Sequence, residues 1–209
     1  MDFTAERKAM VDSQVRVNDV TSHEIHKAMM AVPRENYCAP DRIFAAYSDA
    51  EVEIAADRRL MPARDLSKLL QAADAREGEK ALAIAAPYAA AVLARMGLTV
   101  TAQEAEQAVF DVVGTALEAE GVTTAVAPLS QPVGEGWDLI VCEGGVAALP
   151  DAWGAALRIG GRMVLVERRG AIGKAALYTK GREGLSRREL FDSSPALLAE
   201  LTPAPSFAL

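Results

Sequence analysis

Aromatic residues make up only 5% of this 209-residue chain although 51% of it is apolar, so the core has to be built from aliphatic side chains and alanine. Cysteine is scarce as well. Cys38 and Cys142 stand far apart, offer no disulfide framework, and fit buried apolar fillers in a reducing, cytoplasmic setting. Histidine occurs twice, as His23 and His26, which leaves no Ser-His-Asp constellation to assemble. The two sit at helical spacing and could share a metal, but no third ligand accompanies them, and two exposed helix histidines are the plainer reading. Positive charge is in deficit: the formal net charge is −7, which removes the electrostatic drive toward nucleic acid or an anionic membrane. Long apolar runs are missing too, because the uncharged stretch 81–94 is too short for a bilayer and carries Pro87. Residues 1–8 show no apolar core behind a basic start, so no secretory signal is expected. Glycine, finally, does not occur between Gly78 and Gly97.

What is present falls into two regions of one compact unit, a helical cap over 1–61 and an α/β region over 62–209. Residues 4–17 read as a helix. A second helix follows Thr21-Ser22-His23-Glu24, which has capping-box spacing. It turns Ile25, Ala28, Met29 and Val32 to one face and stops at Pro33. Residues 35–61 look irregular, and no strand is expected in the cap. A third helix starts after Pro62 with Leu66, Leu69, Leu70 and Ala73 inward. From Lys80 onward, strands at 81–85, 98–102, 123–127, 137–142 and 163–167 alternate with helices at 88–96, 104–120 and 151–158. In the helix over 104–120, Val109, Val112, Val113, Ala116 and Leu117 face inward and Gly121 supplies the end. Strands at 175–179 and 185–191, joined by Lys180-Gly181-Arg182-Glu183-Gly184, read as a hairpin at the sheet edge. The tail Pro203-Ala204-Pro205-Ser206-Phe207 reads as a surface segment. The fold class is therefore α/β: an open, mostly parallel sheet of about seven strands with helices on both faces, a helical N-terminal cap and an antiparallel C-terminal hairpin. Such sheets bind ligands beyond the carboxyl ends of their strands, near the point where strand order reverses.

Particular strings narrow the reading. Met10-Val11-Asp12-Ser13-Gln14-Val15-Arg16 and Ala31-Val32-Pro33-Arg34-Glu35-Asn36-Tyr37 resemble the opening and the best-marked helix end of the protein-L-isoaspartate O-methyltransferase family. Ala46-Tyr47-Ser48-Asp49, Tyr88-Ala89-Ala90-Ala91-Val92-Leu93-Ala94, Trp137-Asp138-Leu139-Ile140-Val141 and Leu157-Arg158-Ile159-Gly160-Gly161-Arg162-Met163-Val164 resemble later landmarks, in the same order. Members transfer a methyl group from S-adenosylmethionine to the carboxylate of an isomerised aspartyl residue in a damaged protein. The resemblance implies that chemistry, that cofactor, and a protein or peptide partner.

Carried over residue by residue, the family pattern meets several departures. The family follows its first strand with an acid and a G-x-G-x-G loop, whose glycines permit the turn and let the cofactor approach the main chain. Here the stretch is Ala81-Leu82-Ala83-Ile84-Ala85-Ala86-Pro87-Tyr88: the acid appears as Ala83, no glycine is present, and the loop is about two residues short. Pro87 also lacks a backbone donor. The resemblance places cofactor contacts at Ala85, Tyr88, Glu104, Ser130 and Glu143. Glu104 could hold the ribose hydroxyls or be an ordinary acid at a helix start, two readings of equal weight. After the third strand stand Pro128, Leu129, Ser130 and Gln131, of which only Ser130 or Gln131 could make a polar contact. Glu143-Gly144-Gly145 either allows close backbone approach or is a simple strand-to-helix turn.

On the acceptor side the family has a serine or threonine ahead of the third helix. In Arg59-Leu60-Met61-Pro62 that hydroxyl position is Leu60, so no catalytic residue is assigned. Arg58, Arg59 and Arg64 could bind a carboxylate, with solvated surface arginines the plainer reading. Family likeness alone implies an active carboxyl methyltransferase that repairs isoaspartyl residues. Taken motif by motif, the expectation is a methyltransferase-like protein with a degenerate cofactor site, weak or inactive in methyl transfer, a pseudoenzyme that binds S-adenosylmethionine weakly or not at all.

Overall fold

A computed structural model describes residues 2–202, so the expected surface tail at 203–207 lies outside the described residues. Helix α1 (Phe3–Met10) starts at Asp2, whose carboxylate accepts the Thr4 and Ala5 amides at 3.1 Å. It continues through a π-helical turn at Val11–Val15 and a 3-10 turn at Arg16–Asn18, so the helix expected over 4–17 is not uniformly α. Helix α2 (His23–Ala31) is capped by Ser22, whose hydroxyl accepts the Ile25 amide at 3.3 Å. Thr21, the residue expected to cap, instead donates its amide to Gln71. The helix ends where Val32 turns extended ahead of Pro33, the conformation a following proline imposes.

The stretch after Pro33 is more ordered than its composition suggests. Short 3-10 turns at Arg34–Tyr37 and Ile43–Ala45 lead into β1 (Val52–Ala55) and β2 (Arg58–Leu60), an antiparallel hairpin. The expectation of a strand-free cap is corrected here. The hairpin turn is Ala56-Asp57, with both residues left-handed at φ 48 and 59, so the usual Asn-Gly signature is missing. Strands this short also leave too little alternation to read.

The rest is α3 (Ala63–Ala73), β3 (Lys80–Ile84), α4 (Pro87–Arg95), β4 (Thr99–Glu104), α5 (Gln107–Ala119), β5 (Thr123–Val126), β6 (Trp137–Val146), α6 (Asp151–Ala156), β7 (Leu157–Glu167), β8 (Gly173–Gly181) and β9 (Gly184–Ser193). The seven-stranded sheet has the order β5-β4-β3-β6-β7-β8-β9. Pairing is parallel from β5 to β7, and β8 runs antiparallel to both neighbours. The chain leaves β3 toward β4 and β5 on one side, then returns to lay β6 and β7 on the other. The order reverses between β3 and β6, whose carboxyl ends are Ile84 and the stretch around Glu143.

Both sheet faces are buried, and side chains divide between them with the period of two that strands dictate. Ala81, Ala83, Leu139 and Val141 face α3, α4, α5 and the N-terminal helices; Leu82, Ile84, Ile140 and Cys142 face a second core around α6. That second face has one short helix, and Leu129, Leu198 and Leu201 from irregular segments complete its cover. Trp153 on α6 is its largest fully buried side chain, and its indole N–H donates to the Leu129 carbonyl at 2.8 Å. Cys38 and Cys142 are buried and free, as the sequence suggested. Among the described residues no helix is long and apolar enough to cross a membrane.

Deleting the indole should open a cavity that the thin cover of this face cannot refill. Trp153→Ala is expected to lower the unfolding free energy by about 3–5 kcal/mol, measured by urea denaturation; a loss under about 1 kcal/mol would show that the segment around Leu129 and Leu198 does not depend on it.

Candidate cofactor site

The period of two that organises the sheet also aims its polar groups. On β4, Val100, Ala102 and Glu104 share the face that carries α4; on β6, Leu139, Val141 and Glu143 do the same. The two carboxylates therefore flank the carboxyl end of β3, from which α4 departs. Glu104 is the last residue of a strand, not the first of a helix as one sequence reading had it. Glu143-Gly144-Gly145 is not a strand-to-helix turn either: β6 continues to Val146 through a register shift between Val141 and Gly145. Gly144 sits there at φ +117, and a Cβ on it would come within 2.8 Å of Leu198.

Ala85 keeps the backbone conformation of a glycine turn without the glycine. Its φ is +52, a left-handed angle that costs an L-residue roughly 1–2 kcal/mol. Its amide donates to the Gln103 carbonyl at 2.9 Å, which fixes the end of β3 against β4. Pro87 occupies the first turn of α4, where its missing N–H is no loss to the helix. Two residues on, the Ala89 amide donates to Glu143 Oε1 at 2.8 Å, while Glu143 Oε2 accepts the Met61 amide at 3.3 Å. The positive end of α4 thus faces a carboxylate of this same chain. Burial raises the Glu143 carboxyl above its ordinary value, and the charge of Arg34 and the two amides oppose that rise.

Glu104 is committed through one oxygen, Oε2, while its buried Oε1 has no hydrogen-bond partner among the described residues. Arg58 on β2 donates through Nε to Glu104 Oε2 at 2.8 Å and through Nη2 to Glu200 Oε1 at 3.1 Å. Arg58 and Glu104 are 2% and 1% exposed, so the surface-arginine reading of Arg58 is corrected; Arg59 is exposed and Arg64, paired with Asp65, is half-buried. Desolvation lowers Arg58, and the charges of Glu104 and Glu200 more than offset it, leaving its pKa above the ordinary value. Burial pushes the Glu104 carboxyl up to about 7 although Arg58 pulls it down. Outside this triad lies a cavity of about 310 Å³ lined by Asp57, Arg58, Glu106, Leu197 and Glu200.

Tyr88, on the first turn of α4, is fully buried under Arg34, whose guanidinium carbon lies 4.7 Å from the ring centroid. Arg34 is itself buried and donates to the Ala46 and Met61 carbonyls at 2.8 and 2.5 Å. Leu60 is buried with no exposure at all. Ser130 lies apart, half-buried on the loop after β5, beside Gln131 and Val133, which Gln103 holds through its side-chain amide. Of the sites proposed from sequence, the structure gathers Ala85, Tyr88, Glu104 and Glu143 at one place and leaves Ser130 on the neighbouring loop. It brings in Arg58, named from sequence as a possible carboxylate binder, and adds Glu200, Gln103 and Arg34. Glu200 had no sequence signal, because its contact with Arg58 spans 142 positions. His26, expected exposed, is buried, and its Nε2 lies 2.8 Å from the Val20 carbonyl.

An open sheet in this order, with a tight turn at the switch point and an acid closing the adjacent strand, is the fold class of the S-adenosylmethionine-dependent methyltransferases. The model of the protein-L-isoaspartate(D-aspartate) O-methyltransferase family matches residues 5–188. A protein-L-isoaspartate O-methyltransferase of Methylorubrum extorquens is 30% identical over 207 residues, covering 96% of this chain and 90% of its own. Another, from Rhodopseudomonas palustris, is 31% identical over 170 residues, covering 78% and 69%. A structure described as this type of enzyme from Plasmodium falciparum, in complex with S-adenosyl-L-homocysteine, superposes with a TM-score of 0.76 at 14% identity, covering 95% and 98%. The chain belongs to the protein-L-isoaspartate O-methyltransferase family.

Two outcomes follow from the buried triad. Arg58→Ala strands Glu104 without a counter-charge and is expected to cost about 3–5 kcal/mol in chemical denaturation, where a loss near zero would mean the pair is not formed. Glu104 also shapes the pH dependence. With a folded value near 7 above an ordinary value of 4.5, it contributes stability that is full below 4.5 and lost as pH rises through 7. The stability of the parent minus that of Glu104→Gln should therefore fall from pH 5 to pH 7.5 by on the order of 2 kcal/mol; a constant or rising value would contradict the shift.

Proposed function

We propose that this chain is a member of the family that keeps the methyltransferase scaffold with its own side chains in place of the cofactor, and that it transfers methyl groups weakly or not at all. One observation carries the reading. Ala85, Tyr88, Glu104 and Glu143 are each at most 1% exposed, and both carboxylates are already bonded to groups of this chain. A nucleoside or an amino-acid moiety could reach the Ala89 amide only by breaking its bond to Glu143, and the unpartnered Glu104 Oε1 only by displacing the packed atoms that bury it. The residues present therefore do not fit S-adenosylmethionine in this conformation.

Residue chemistry supports the same view. A glycine loop offers several bare amides to a ligand; here Ala85 donates to Gln103, Pro87 has no donor, and Ala89 donates to Glu143, so of this stretch only the Ala86 and Tyr88 amides are without a partner among the described residues. Leu60 puts an apolar side chain where the family orients the acceptor, so a positioned carboxylate would lack its hydroxyl partner. On this reading the molecule acts as a binding protein, with a protein or peptide as its partner. A second reading, an active carboxyl methyltransferase, draws on the 30% identity to one named enzyme along 96% of the chain and on the left-handed turn kept at Ala85.

Calorimetry and turnover separate the two. S-adenosylmethionine and S-adenosylhomocysteine are expected to leave the thermal transition unmoved, whereas a ligand at one hundred times its Kd would stabilise by about 2.7 kcal/mol. Saturable binding at micromolar ligand, or methylation of an isoaspartyl peptide that is abolished by Glu104→Ala, would overturn the reading and restore the enzyme.

A further inference from the structure

Strand β9 ends the sheet, and its outer edge is unpaired among the described residues. It is ten residues long, and the first six, Gly184 to Glu189, are exposed on both faces. A strand that covers part of a core shows alternating burial; this stretch shows none, and its order comes from the ladder to β8. The ladder is regular from Gly184 to Glu189 and shifts register only beyond it, so an uninterrupted row of outward N–H and C=O groups is on offer.

The charge on this edge is opposite to that of the chain as a whole. Lys180, Arg182, Arg187 and Arg188 stand against two acids, Glu183 and Glu189, in residues 180–189 of a protein with a net charge of −7. Consecutive positions put Arg187 and Arg188 on opposite faces of the strand, across from Tyr178 and Leu177. Arg187 is partnered by Glu167 at 2.6 Å, while Arg182 and Arg188 make no ion pair among the described residues. A strand laid along β9 would meet a guanidinium on each of its faces.

We propose that β9 is a docking edge for an extended acidic peptide segment, which adds to the sheet as an eighth strand and carries carboxylates on both faces. Backbone alternation selects a peptide, because only another main chain supplies matching acceptors and donors. Charge selects an acidic one. A second copy of this chain is disfavoured, since pairing two β9 strands about a two-fold axis brings four arginines together. The same guanidinia that deter self-pairing attract the acidic strand. The proposal does not rest on the state of the cofactor site, which lies at the carboxyl end of β3 on the far side of β6 and β7.

The test is fluorescence anisotropy of the full chain with a short labelled peptide of Thr, Val and Glu. Saturable binding that weakens as NaCl rises is expected, with amide-exchange protection appearing over residues 184–189. The exposed substitutions Arg182→Glu and Arg188→Glu together should weaken binding at least about ten-fold while leaving the thermal transition in place. The same peptide N-methylated at alternate residues should not bind. The proposal falls if the N-methylated peptide binds as well as its parent, which would make the contact purely ionic. It falls equally if a Thr/Val/Lys peptide or single-stranded DNA binds as tightly, if protection appears elsewhere, or if the chain alone sediments as a dimer through this edge.

Discussion

The structure depends on how two buried carboxylates are compensated at the carboxyl edge of the sheet. Moving an ionised acid out of water costs several kcal/mol unless charge or donors surround it. Glu143 receives two backbone amides and the start of a helix. Glu104 receives an arginine, and that arginine requires the hairpin of β1 and β2 to reach across and Glu200 to close its other side. These compensations tie together segments distant in sequence: the cap, the central strands and the residues before 202. The same demand explains why Arg58 is buried in a segment whose composition looked like surface.

Much of the fold was legible because its signals are local. Alternating short apolar runs and amphipathic segments located the strands and helices after Lys80, and Gly97 and Gly121 at positive φ end α4 and α5 where expected. The hairpin of β8 and β9 was announced by its turn residues. What escaped was non-local or atypical. The β1–β2 hairpin turns on Ala56-Asp57 in place of a glycine turn, and β6 runs on through Gly144 because a bulge, not a loop, absorbs the glycine.

The site was legible as a set of positions but not as a set of bonds. Ala85, Tyr88, Glu104 and Glu143 were named from resemblance, and they do meet. Resemblance could not say that Glu104 would be spoken for by Arg58, since a position in a motif carries no information about a partner 46 residues away. Nor could it show why the string around Arg34 matters here. Arg34 supports the ring of Tyr88, bonds two carbonyls, and lends its charge to Glu143, so that motif braces the switch point from behind.

The left-handed angle at Ala85 bears on how such a site can change while the fold stays. A turn that once needs glycine for its geometry can accept alanine if the neighbouring ladder fixes the backbone, at a cost of roughly 1–2 kcal/mol. The amide of Ala85 is fixed by Gln103, and its methyl joins the core beside Leu82 and Ile84. Burying a methyl returns about 0.8 kcal/mol, so the substitution is close to neutral for folding. The same methyl removes the bare approach that a ligand requires. Stability and ligand access are thus separable at this turn, and the proposed loss of the cofactor leaves the sheet free to serve through its opposite edge.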